Sequence, residues 1–254
     1  HPAETAKHAA ASIKDHFSKA VKSVMPALEK LGKAGAKALG AGFLAAGGSA
    51  AGLGAMAVKS AVDMDKAVNS FAASAGTGAE ATEKYKQVLE EVYKNNYGES
   101  FEDIADAMSR IRQQIGPVVD TWDSGKIQEF TESAFALRDT FGYDIQESVR
   151  AANAMMENFG IDGEKAMSMI AAGTQNGLDF SGEFLDSISE YSGQFAKIGL
   201  DADDMFQVLQ NGADAGAFNL DKIGDAIKEM SIRVIDGSDT TAEGFQLIGL
   251  NADE

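Results

Sequence analysis

Cysteine is absent from the 254 residues, which excludes disulfides, thiolate nucleophiles and cysteine-ligated metals. Histidine occurs only as His1, His8 and His16. Beyond residue 16 there is no imidazole, so a Ser/His/Asp or Cys/His relay has no base to use. Three prolines in the whole chain suit a helical protein, because proline removes a donor and crowds the preceding turn. The Gly-Lys-Ser/Thr ending of a phosphate-binding loop is missing.

Other chemical signatures fail on context. Gly52-x-Gly54-x-x-Ala57 has the outline of a dinucleotide fingerprint, but no strand precedes it and no βαβ unit surrounds it. Asp201, Asp203 and Asp204 begin like a calcium loop, yet the central glycine and distal glutamate are out of register. Negative charge at a helix start accounts for them better. Asp236-Gly237-Ser238-Asp239 reads as a turn. Acidic pairs suited to glycoside cleavage can be drawn anywhere on so acidic a surface, and none has a defined geometry. The single tryptophan, Trp122, stands between Asp120 and Asp123 and reads as a loop anchor. No catalytic residue, cofactor or metal site is assigned, and the chain is expected not to be an enzyme.

Charge is plentiful but uneven. The net charge is −17. Residues 1–60 hold eight lysines against three carboxylates, for +5, and residues 61–254 hold fourteen Lys/Arg against thirty-six Asp/Glu, for −22. So acidic a body repels nucleic acid, leaving at most transient contact. The plain reading is a solvated surface that favours solubility. The basic start can meet acidic lipid, an acidic partner or the chain's own acidic body.

Two segments make up this basic arm, residues 1–60. Residues 3–33 read as an amphipathic helix in which Phe17, Val21, Val24, Leu28 and Leu31 step by 4, 3, 4 and 3. That is a two-heptad seam, the candidate contact between copies of the chain, with packing on its own core as the equal alternative. Pro26 falls outside the seam and should kink or restart the helix. Next, Ala38 to Val58 forms twenty-one residues without a charge, bracketed by Lys37 and Lys59. A membrane-spanning helix needs about 20 residues. Here Ala and Gly dominate, and Leu39, Phe43, Leu44, Leu53, Met56 and Val58 are the strong apolar residues for membrane or helix–helix contact. Glycine permits close helix approach but costs a helix in water about 1 kcal/mol relative to alanine. A packed segment in an assembly, a segment that enters a membrane conditionally and a constitutive anchor all remain open. The arrangement is not that of a signal peptide.

Residues 61–254 read as an acidic all-helical domain. Gly-apolar-Asp recurs as Gly142-Tyr143-Asp144, Gly160-Ile161-Asp162, Gly177-Leu178-Asp179 and Gly199-Leu200-Asp201, with relaxed forms at Asn219-Leu220-Asp221 and Gly249-Leu250-Asn251. Glycine ends one helix in the left-handed conformation, and Asp or Asn caps the next. The steps of 18, 17, 22, 20 and 30 residues predict helices of three to four turns with tight connections. Apolar periodicity places helices near 61–72, 80–95, 101–115, 126–141, 145–159, 163–175, 180–198, 202–215, 221–231 and 240–248. Ser100 with Asp103 resembles a capping box. Ile232-Arg233-Val234-Ile235 has strand character, but one short run builds no sheet. The fold class is all-α, an array of short packed helices preceded by the arm. His1-Pro2 opens without methionine, and Asn251-Ala252-Asp253-Glu254 stops just after a helix cap, so the expectation is a piece of a longer or processed chain.

Several stretches of residues 61–254 carry a resemblance. They are Ala61-Val62-Asp63-Met64-Asp65-Lys66-Ala67-Val68, then Tyr97-Gly98-Glu99-Ser100-Phe101-Glu102-Asp103-Ile104-Ala105, then Gly199-Leu200-Asp201 through Leu209. The last runs Ala213-Asp214-Ala215-Gly216-Ala217-Phe218-Asn219-Leu220-Asp221-Lys222-Ile223-Gly224-Asp225-Ala226-Ile227-Lys228-Glu229-Met230, followed by Ile232-Arg233 and Asp236-Gly237-Ser238. In this order they resemble phage tail tape measure proteins. The resemblance implies a structural protein inside the tail tube that sets tail length and leaves ahead of the DNA. It implies tail tube and tail tip proteins as partners, own copies as a homo-oligomer, and the host membrane during ejection. The place implied is the virion, in the tail tube lumen, with the host cytoplasm during assembly. Tape measure proteins are usually much longer, with an extended helical ruler, and helix stops about every 20 residues mark this piece as a compact region instead. Peptidoglycan-cleaving domains occur in some relatives, but no such motif is visible here. A membrane-inserting effector and a non-enzymatic helical adaptor are the alternative readings.

Overall fold

A computed structural model describes residues 57–236 together with 243, 244 and 246. Among these, the chain is all-α. The helices are α1 Ala57–Ala75, α2 Ala79–Lys94, α3 Phe101–Ile115, α4 Ser124–Phe141 and α5 Ile145–Phe159. They continue with α6 Gly163–Gln175, α7 Phe184–Lys197, α8 Ala202–Asp214 and α9 Leu220–Asp236, and a 3-10 turn, Pro117–Thr121, separates α3 from α4.

Local capping chemistry sets most of these boundaries. Gly142, Gly160, Gly177 and Gly199 all take positive φ, between 67° and 82°. After them, Asp144 Oδ1 accepts from the Gln146 and Glu147 amides at 2.7 and 3.1 Å, and Asp162 Oδ1 accepts from Lys165 N at 2.7 Å. Asp201 and Asp204 form a reciprocal capping box, and Asn219 Oδ1 accepts from Lys222 N at 3.2 Å. The acidic triplet at 201–204 is therefore a helix start.

The structure corrects three details. Helix α7 begins at Phe184, not near residue 180, because Gly182 takes φ 73° and breaks the helical path. The Asp179 carboxylate instead accepts from Phe184 N, 3.3 Å away and five residues on. At α3, Ser100 Oγ accepts from Asp103 N, but the return bond to Asp103 comes from Glu99 N, one residue before the cap. Helix α9 runs on to Asp236, past the end expected at 231, and takes in residues 232–235. The helix expected at 240–248 falls largely outside the described residues, as do Gly249-Leu250-Asn251.

Contacts divide the chain into two compact units. Described residues of the first are 57–153 and 162–172; those of the second are 154–161 and 173–236. In the first, α1 packs on α3 and α2 on α4. Tyr85, Val88, Leu89 and Val92 of α2 are buried, as are Phe71, Ile104, Met108 and Phe135, and the Tyr85 and Phe71 rings lie 4.4 Å apart between centroids. Phe101, at the start of α3, is half-buried. In the second unit, α9 packs on both α7 and α8. The principal helix pairs in both units are first or second neighbours along the chain.

Small residues let the second unit close. Gly224 of α9 lies against the ring of Tyr191 on α7, where a Cβ would overlap the ring. Tyr191 cannot swing away, because it is 2% exposed and its hydroxyl donates to Asp225 Oδ1 at 3.0 Å. Alanine in a helix is ordinarily favoured over glycine by about 1 kcal/mol. Overpacking a rigid contact costs about 1–3 kcal/mol. Gly224→Ala is expected to lower stability by up to about 2 kcal/mol net, read as a lower urea midpoint. A raised midpoint would show that the α7–α9 contact yields freely.

Candidate functional site

The densest polar constellation lies in the first unit, where four elements meet. Gly116 ends α3 at φ 81°, and Pro117 opens the 3-10 turn with its ring at a position that needs no amide donor. This turn carries Asp120 back toward α3. There Arg112 Nε donates to both carboxylate oxygens of Asp120 at 3.1 and 3.2 Å, and Nη2 donates to Oδ2 at 2.9 Å. Arg112 Nη1 donates to the carbonyl of Ala75, the last residue of α1. From α2, the Tyr85 hydroxyl donates to Asp120 Oδ1 at 2.6 Å. Lys84 Nζ adds bonds to the Asp120 and Trp122 carbonyls at 2.6 and 3.1 Å. One carboxylate and two cations thus tie α1, α2, α3 and the turn together.

Electrostatics follow from this geometry. Burial pushes the Asp120 carboxyl up, but hydrogen bonds from Arg112 and Tyr85 prevail and hold it below the usual carboxylate range. Burial, then the adjacent Asp120 carboxylate, drives the Tyr85 hydroxyl well above its ordinary value. A tyrosine kept protonated and a carboxylate kept ionised make a fixed donor–acceptor pair. The pair clasps α2 to α3 and the turn.

Trp122 closes one side of the clasp. Its ring meets Phe130 edge-on, with centroids 5.5 Å apart, and Lys126 Nζ sits 4.6 Å from its ring centre. The loop-anchor reading of this residue fits that packing. Nearby, the starts of α4 and α6 border a cavity of about 320 Å³ lined by Asp123, Lys126, Glu129, Phe130, Asp162 and Glu164, among others. Asp123 and Asp162 are already engaged as helix caps, accepting from Lys126 N and Lys165 N. Among the described residues, no group of three His, Cys, Asp or Glu is placed to hold a metal ion. No described helix is long and apolar enough to cross a membrane.

Residues singled out in the sequence for contacts fall mostly elsewhere. Phe17, Val21, Val24, Leu28, Leu31, Leu39, Phe43, Leu44, Leu53 and Met56 lie outside the described residues, and Val58 falls in the first turn of α1. Arg112, Asp120 and Lys84 gave no sequence signal as a group, since the partners stand up to 38 residues apart. Gly116 and Pro117 form the bend that brings Asp120 back.

Hydrogen bonds to charged groups contribute about 1.5–3 kcal/mol each, net of desolvation. Asp120→Asn is expected to cost about 2 kcal/mol in urea unfolding at neutral pH. A folded carboxyl pKa below the unfolded value of about 3.9 stabilises fully above that value and loses its effect as pH falls through the folded one. The wild-type advantage over Asp120→Asn should therefore persist at neutral pH and close below about pH 4. At the alkaline end the sign reverses. Tyr85 disfavours ionisation when folded, so stability should fall above about pH 10, less so in Tyr85→Phe. A gap between wild type and Asp120→Asn that does not change with pH would remove the charge from the account.

Comparison with known proteins agrees with a structural reading. A family model described as phage-related minor tail protein matches residues 93–254, more than half of the chain. No curated protein and no solved structure matches it. The matched span opens within α2 and takes in α3 through α9, including Arg112 and Asp120 of the clasp. The chain belongs to the phage-related minor tail protein family.

Proposed function

We propose that this chain is the compact region of a tail tape measure protein. Family membership over residues 93–254 is the observation that carries the reading. Two further features support it. Helices stop and restart about every 20 residues, which suits a packed region attached to a ruler. The acidic body suits a protein that precedes DNA along the same channel without binding it. In this reading the protein lies in the tail tube lumen as several copies, meets tube and tip proteins, sets tail length non-enzymatically and leaves ahead of the genome. In an extended helix each residue adds about 1.5 Å, so residue count becomes length.

The test is genetic and is read by electron microscopy of tails. An in-frame insertion of about 70 helix-forming residues in the extended helical part of the complete gene should lengthen tails by about 105 Å. Deleting the codons for α7 to α9 should instead abolish tails, not shorten them in proportion. Unchanged tail length despite incorporation of the lengthened protein would sink the ruler reading.

The segment 38–58 supports a further step in the same proposal, passage of the host membrane during ejection. A segment that stays soluble in a tail yet enters lipid must be only marginally apolar, and Ala/Gly dominance with flanking Lys37 and Lys59 meets that condition. A peptide covering residues 33–61 is expected to bind and leak liposomes containing anionic lipid. Absence of binding and leakage across lipid compositions would remove this step while leaving the ruler untouched.

A further inference from the structure

Phe218 is 85% exposed, although it sits between two helices that bury most of their apolar residues. Its loop is well tied. Ala215 N donates to Asn211 O and Ala217 N to Gly212 O, both at 3.0 Å, and Asn219 caps α9. Gly216, at φ 87°, makes the bend. The ring is thus held in water by a hydrogen-bonded turn. A rigidly displayed aromatic is how protein contacts present an anchor.

A second exposed phenylalanine belongs to the same end of the unit. Tyr191 of α7 bonds Asp225 of α9, and further along Ser231 of α9 bonds Gln194 of α7. Both pairs advance in the same direction, so α7 and α9 run parallel. The segments that precede them therefore share one end, and these carry Phe180, 48% exposed, and Phe218. Asp179, Glu183, Asp214 and Asp221 belong to this end as well, against the one lysine Lys222. Ser181 Oγ and Glu183 Oε2, next to Phe180, are covered and have no hydrogen-bond partner.

This chemistry selects the occupant. Residues 173–236 carry twelve Asp/Glu and four Lys/Arg. An anionic lipid surface, nucleic acid or the same face of a second copy would all meet like charge. The fitting partner is apolar and basic together, and the chain contains such a segment. Its residues 14–33 join the seam Phe17, Val21, Val24, Leu28 and Leu31 with Lys14, Lys19, Lys22, Lys30 and Lys33. We propose that the Phe180/Phe218 end of the second unit docks this basic amphipathic segment of the same chain. The seam covers the two rings, and the lysines face the surrounding carboxylates. Docking also occupies the seam that would otherwise join copies, so the intramolecular contact competes with self-association.

The full chain carrying a benzophenone amino acid in place of Phe218 tests this. Irradiation of a mixture of light and heavy isotope-labelled chains, followed by peptide mass spectrometry, separates contacts within a chain from those between chains. The expected product joins position 218 to residues 14–33 of the same label. Its yield should fall about fivefold from low salt to 0.5 M salt, where the screening length shrinks to a few ångströms. The triple change Lys14→Glu, Lys19→Glu, Lys22→Glu should lower it similarly, with circular dichroism confirming that the helices persist. Products that join different labels, or that map outside residues 14–33, overturn the proposal. A yield unmoved by both salt and charge reversal overturns it too.

Discussion

A single carboxylate decides how the first unit is assembled. Asp120 has no regular helix of its own, yet it receives Arg112 and Tyr85 while its carbonyl receives Lys84. The guanidinium also reaches the end of α1, so the clasp fixes where one helix stops relative to two others. Apolar burial supplies most of the driving force in such a core but is non-directional. The clasp supplies direction. Bidentate arginine–carboxylate pairing is among the most geometrically demanding contacts a side chain makes, and partial burial raises the penalty for any arrangement that leaves a partner unpaired.

The second unit reaches the same end with different means. Its contacts rest on shape more than on charge. Glycines at helix contacts bring backbones close enough for aromatic rings to lie across them. Gly173 meets Phe184 and Phe206, Gly212 meets Ile223, and Gly224 meets Tyr191. Each ring or branched side chain fills the place of a missing methyl. Two ion pairs of this unit, Lys228–Glu190 and Arg233–Glu229, are long and well exposed, and pairs of that kind contribute little.

Legibility in the sequence followed the range of the interaction. The extents of helices 101–115, 145–159 and 163–175 could be read outright, because capping involves residues within one turn of each other. The left-handed glycines were equally legible. Near residue 180 the same motif misled, since Gly182 imposed a second stop that the Gly177–Asp179 signal did not announce. The Arg112–Asp120–Tyr85 clasp and the glycine–ring contacts stayed hidden for a different reason. Their partners lie on separate elements, and periodicity ranks a glycine as a weak helix former without revealing what approaches it. Phe218 gave no warning either, because an apolar residue beside a capping asparagine looks like an ordinary staple until its exposure is known.

The spacing of the polar links has a mechanical consequence. Ser74–Ser109, Lys84–Asp120, Asn95–Glu132, Arg138–Asp103, Tyr191–Asp225 and Ser231–Gln194 each join residues 34 to 37 apart. Such bonds close loops of nearly constant, modest size, so the entropy of re-forming each is similar and small. Folds dominated by short-range contacts also re-form quickly. A pulling force applied to one end would release these loops in succession, each at a comparable load, in contrast to the single abrupt yield of a fold tied end to end. Once slackened, the thread could rewind from any surviving turn.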